Sequence, residues 1–237
     1  MMVRGFLLIF LLVGPSAFTQ TQWTILDYSK INILDEDTRF SQVLDFSALD
    51  YPRLNAAIFL ATNEIRKSQG RAELKHSVEL ERSAWNFARR MAEKSFFSHE
   101  DPTDTGRKTL EQRGKRAGIL NPRMAENIAT TFGVKYHSGD PVYSLQGGAG
   151  GYSLFPFGEP IPPHTYRSLA RALLEQWMNS PGHRSNILSP YALEMGTGAY
   201  FYRDSQDLNG MPMFACVQNF QWYEPIKTTM ALDPDPF

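Results

Sequence analysis

Three short motifs hold the side chains most able to do chemistry: FFSHE at 96–100, AENIA at 125–129 and WMNSPGHRSNIL at 177–188. They supply His99, Glu126 and His183. Two neutral imidazoles and a carboxylate are competent ligands for zinc or a similar divalent cation, with one position left open for water or substrate. The same groups also make a hydrogen-bonded polar cluster, in which Glu126 orients the histidines. A carboxylate beside imidazoles favours their charged form, so such a cluster responds to mild acid. Spacing does not choose between these readings. Intervals of 27 and 57 residues impose no geometry, unlike an HExxH helix. The fold has to bring the three together.

The elements that must do so are legible from periodicity. Leu54, Ile58, Ala61 and Ile65 form an apolar stripe after Pro52, with Gly70 as a stop. A second helix runs from about Ser77 to Lys94, with Leu80, Ala84, Phe87 and Met91 on one face, and ends before Pro102. A third fits Thr109 to Ala117, and AENIATTF at 125–132 reads as a short helix or turn. The last helix spans roughly Tyr166 to Met178, its stripe formed by Leu169, Leu173 and Trp177. Asn179, Ser180 and Pro181 break it, Gly182 frees a tight bend, and His183 stands on that boundary. MGTGAYFYRD and MPMFACVQNF are strands, with Asn209-Gly210 as the hairpin signal between them. Helices first and strands last give an α+β protein, and the apolar positions of its three long helices define the core.

Between 133 and 165 the composition changes. GGAGG and four prolines between 156 and 163 mark an irregular insertion without a core of its own, expected near the cleft and cut first by proteases at GGAGG. Residues 1–19 read as a signal peptide: Arg4, then the apolar run GFLLIFLLVG, then small residues at 15–17. The run is too short to span a bilayer, and no cysteine beside it offers a lipid anchor. The expected product is exported, secreted or periplasmic. Residues 20–50 read as a leader lying across the domain, 51–222 as the domain, and 223–237 as a tail.

Without Arg4 the chain carries 23 basic and 25 acidic side chains, a formal charge of −2. That balance gives no reason to expect nucleic acid or anionic membrane as partner. One cysteine allows no intramolecular disulfide, and Cys216, in mid-strand, reads as a buried inert thiol. There is no GxSxG elbow, and GGAGG lacks the Lys-Ser/Thr of a phosphate loop. His76, His137 and His164 read as solvated surface groups. Asn186 and Gln218 read as amides that fix the cleft, ahead of ligand contacts.

Four pieces in order (FFSHEDP after a long helix, AENIA, WMNSPGHRSNIL, and the pair MGTGAY and CVQNF) resemble the CAP superfamily of cysteine-rich secretory proteins, antigen 5 and pathogenesis-related protein 1, in its bacterial secreted branch. The resemblance covers roughly 50–222. It implies a three-layer α-β-α sandwich with an open cleft lined by two histidines and two acids, matched here by His99, His183 and Glu126. The second acid of that pattern falls three residues after the helix tryptophan, where this chain has Ser180; Glu175 and Glu194 lie nearby but off the motif position. Three functional classes follow. The favoured one is a non-enzymatic secreted module that binds a small apolar ligand, a lipid, a divalent metal such as zinc, or an extracellular macromolecule. The others are a metal-dependent hydrolase or peptidase with Glu126 as base, and a cell-envelope structural or interaction protein.

Overall fold

The computed structural model describes residues 23–31, 33–145, 151–204 and 210–228. The signal-peptide reading of 1–19, most of GGAGG and residues 205–209 of the predicted hairpin turn lie outside these residues.

Local signals start and stop the helices much as expected. Helix α1 (Tyr51–Ser68) begins where Asp50 accepts the Arg53 N–H and Pro52 occupies the first turn. It ends before Gly70, whose φ of 66° suits a residue without Cβ. The short strand β1 (Lys75–His76) leads into α2 (Val78–Glu93), capped by Ser77 on the Leu80 N–H with Glu79 and Glu81 in its first turn. Helix α3 (Leu110–Arg116) opens with a Thr109–Gln112 capping box, and α4 (Tyr166–Met178) with the same device from Thr165 and Ser168.

Two expectations are corrected next to the site. AENIATTF is neither helix nor turn but the middle of strand β2 (Met124–Phe132). Its apolar, β-branched run pairs residue for residue with strand β6 (Met211–Gln221), and that long ladder overrides local preference. After α4 the chain does not bend at Gly182. Ser180 takes extended backbone, Pro181 fills the first helical position, and α5 (Pro181–Ile187) begins with His183 in its first turn.

Strand β5 (Glu194–Asp204) pairs antiparallel with β6, and β1 runs parallel to β5, giving the order β1-β5-β6-β2. Side chains alternate between two helical layers. On β5, Thr197 and Ala199 bond to Asn55 of α1, whereas Gly196 and Gly198 face α2. A Cβ on Gly196 would lie 1.9 Å from the Glu81 nitrogen, and one on Gly198 2.2 Å from that of Trp85. The α2 backbone therefore rests directly on the sheet, which only glycine permits. Strand β6 is buried along its whole length because both faces are covered.

The larger core lies between the sheet and α1 with α4. Leu54, Ile58, Leu173 and Trp177 are fully buried there, with Ile65 packed at its margin. A smaller core under α2 takes Ala84, Phe87 and Met91, and Leu80 is also buried. Each such large apolar side chain contributes about 1.5–3 kcal/mol. Trp23, Leu34, Phe40 and Leu44 of the leader complete the larger core, so 23–50 straps the domain.

Residues 133–165 are less irregular than their composition implies. Strands β3 (Tyr143–Leu145) and β4 (Gly151–Ser153) form a short hairpin. Val134 and Ile161 pack on Met211 of β6, so this excursion shares the sheet's core. Cys216 is fully buried, and desolvation raises its thiol pKa far above the usual range.

Candidate functional site

The loop after α2 carries FFSHEDP and is held by its last acid. Asp101 is buried; its carboxylate accepts Arg90 Nε at 2.5 Å and both the amide and hydroxyl of Thr103. Burial alone would raise its pKa, but those donors bring it below the usual value. This anchor fixes the preceding turn, leaving the His99 side chain 58% exposed on one wall of a cleft.

Glu126 sits opposite, on the β2 face turned toward α2 and α3, and only 2% of its side chain is exposed. One oxygen is 3.0 Å from His99 Nδ1, and the other accepts Arg113 Nη2 at 2.8 Å. Arg113 is equally buried. It donates to the backbone carbonyls of His99 and Lys108 and lies 3.5 Å from the Phe87 ring centre. In the orientation that satisfies both ends of its amide, Asn219 adds a bond to Glu126 at 3.2 Å. Both carboxylate oxygens thus have a partner, and the bond to His99 raises the histidine's pKa from the ordinary value.

His183 reaches the same cleft from α5. Arg66, buried in α1, donates to the carbonyls of Ile187 and Ser189 at the end of that helix, at 2.6 and 3.0 Å. A chain of amides ties α5 to the sheet. Asn186 donates to Asn127 at 2.9 Å, Asn127 to Gln218 at 3.1 Å, and Gln218 to Thr62 of α1 at 2.7 Å. Asn127 also lies 3.2 Å from the His183 carbonyl. Burial, and then the nearby charge of His99, lower the pKa of His183. Both histidines line one cavity of about 570 Å³ with Phe97, Ile128, Thr130 and Gln176.

His99 and Glu126 are therefore in direct contact, and His183 shares a cavity with His99. No three His, Cys, Asp or Glu side chains among the described residues are placed to enclose a metal ion. Arg113 and His99 each bond to one oxygen of Glu126. Glu194 does not replace the second acid, since Lys227 pairs with it at 3.3 Å.

Asn127 and Arg113 are the residues around the cleft histidines and Glu126 that sequence reasoning missed. Alternation along a strand at 124–132 would have put Asn127 on the face opposite Glu126; reading that segment as helix or turn hid it. Arg113 carries no local signal. None of the described residues of the 133–165 excursion lines the cavity, since β2 carries the chain on to Phe132.

Two other histidines depart from the solvated surface expected of them. His76 bonds to Glu81, to which Tyr28 also donates at 2.7 Å, and stacks on the Tyr28 ring. The leader covers it, an arrangement no local pattern announces. His164 bonds to Ser168, and burial lowers its pKa to about 4. His137 is exposed as expected.

The sequence profile described as the cysteine-rich secretory protein family, CAP, matches residues 59–220. Among solved structures, an extracellular protein containing an SCP domain from Bacillus anthracis is similar at 23% identity and TM-score 0.47, covering 73% of this chain and 41% of that one. An outer surface protein of Borrelia burgdorferi is 14% identical at TM-score 0.44, covering 77% and 98%. A cysteine-rich secretory protein from Staphylococcus aureus is 18% identical at TM-score 0.41, covering 73% and 39%. The chain spans about two-fifths of the length of the Bacillus and Staphylococcus proteins. No curated protein matches it.

Proposed function

Because this chain belongs to the cysteine-rich secretory protein family, we propose that it is an exported binding module whose cleft between His99 and His183 holds a ligand without reacting on it. The domain proper is 51–222, preceded by a signal peptide at 1–19 and a leader segment at 20–50. The observation that carries this reading is the state of Glu126. A general base must lie within hydrogen-bond reach of the water it activates, and each oxygen here already has a partner, His99 on one and the buried Arg113 on the other. Asn186 and Gln218 support the walls, and the ligand meets the imidazoles, Phe97 and the strand between them.

Chemical-shift mapping of the full chain with oleate as an apolar probe should move the His99, His183 and Phe97 resonances. Peptide and ester substrates should remain intact. Metal-dependent hydrolysis that vanishes in Glu126→Gln overturns the reading.

A second reading is a divalent cation held by the two imidazoles alone, favoured by their shared cavity. Zinc titration by calorimetry should then show weak binding that declines below about pH 6.5, where protons compete for imidazole.

A further inference from the structure

The floor of the cleft is the free edge of a strand. β2 ends the sheet, and among the described residues only β6 pairs with it. Backbone bonds flanking the ladder, Trp222 to Arg123 and Gly133 to Pro212, fix the alternation. Odd-numbered residues of β2 bond to β6, and Glu126, Ile128 and Thr130 turn their N–H and C=O groups outward.

Two outward carbonyls are already covered. Asn186 Nδ2 lies 3.4 Å from the Glu126 carbonyl, and Gln176 Nε2 lies 3.3 Å from that of Thr130. Between them, no group among the described residues bonds to the outward backbone of Ile128. The side chains of Ile128 and Ala129 enter opposite cores. Both nevertheless line the cavity, so what they present there is the strand edge.

We propose that the cleft takes an extended peptide, which adds to β2 as a further strand by pairing with the N–H and C=O of Ile128 between the two side-chain amides. This rests on the binding-module reading of the same cleft and names its ligand class. A donor and an acceptor on one residue, aimed the same way, match one residue of another extended backbone. Side chains of that peptide would alternate between the two walls, meeting His99 and exposed Phe97 on one and His183 on the other. With both amides in place the pairing is one residue pair long, and it lengthens when Gln176, on the exposed face of α4, swings away.

The test pans a pool of acetylated, amidated random hexapeptides against the immobilised full chain. The tightest binder is then remade with a single N-methyl group at each position and titrated into ¹⁵N-labelled protein. Binding should shift the Ile128 amide, fall at least about tenfold on N-methylation of the one position that pairs with Ile128, and tolerate the others. Gln176→Ala, which frees the Thr130 carbonyl, should tighten it about two- to tenfold, the effect of one added hydrogen bond. An empty pool, uniform tolerance of N-methylation, or shifts away from β2 overturns the proposal. If oleate or zinc still moves the His99 and His183 resonances, the binding-module reading survives that result. If no probe moves them, both fail.

Discussion

Glu126 and Asn127 are neighbours in sequence and face opposite layers of the sandwich, and the two sides of the strand are built from different chemistry. On the α2 side the network is ionic: Glu126, Arg113 and His99. On the α1 side it is neutral: Asn186, Asn127, Gln218 and Thr62. The ionic side ends on a histidine open to solvent, where charge is tolerated. The amide side runs inward to a fully buried glutamine, where an ion would be costly and neutral donors and acceptors can all be matched. One wall of the cleft is thus an ion pair reaching outward, the other a rung of the core.

The sharpest way to break this contrast is Glu126→Ala, which leaves Arg113 buried without its partner. Removing one member of a buried pair costs about 3–5 kcal/mol, so urea denaturation should show the largest loss here, and Glu126→Gln a smaller one. Asn127→Ala takes one partner each from Gln218 and Asn186 but strands no charge. Its cost should be about 1–3 kcal/mol, with the His183 resonances displaced and those of His99 unmoved. His99→Ala removes the exposed end of the ionic side and should cost about 1 kcal/mol or less. Equal losses for the Glu126 and Asn127 substitutions would erase the distinction between the two sides.

The finest test is titration. His99, raised by its bond to Glu126, should lose its proton above the ordinary histidine value of about 6.5, and His183, lowered by burial, below it. The signs for stability are opposed. The His99 contribution is complete below about pH 6.5 and fades as pH rises through its raised folded value. His183, favoured neutral in the fold, costs stability as pH falls below about 6.5 toward its lowered value. Histidine NMR should show the two titrating in that order, and Glu126→Gln should bring His99 back toward His183. The reverse order would sink the assignment of the ionic side.

The helices were legible because each carries its own punctuation. Asp50, Ser77, Thr109 and Thr165 cap them, and α4 begins and ends at the residues its periodicity marks. Strands β5 and β6 were legible from their apolar and aromatic runs. Strand β2 was not, since its identity comes from a partner some ninety residues away, and AENIATTF alone suits several conformations. The site divides likewise. Histidines at element ends could be singled out by type and position. Arg113 enters only through the buried carboxylate it meets, and His76 needed the leader above it to be known.

The strand order has a consequence for how the molecule comes into being. The central strand β6, with which β2 pairs, lies near the C-terminus, and the parallel partner of β1 lies more than a hundred residues beyond it in the chain. Contacts of such separation close late and slow folding. Until Met211–Gln221 has been synthesised and docked, β2 has no ladder to join and Glu126 no sheet to hold it against Arg113. The cleft is therefore assembled from its far end, and a chain truncated before β6 would keep both histidines and have no sheet to hold them together.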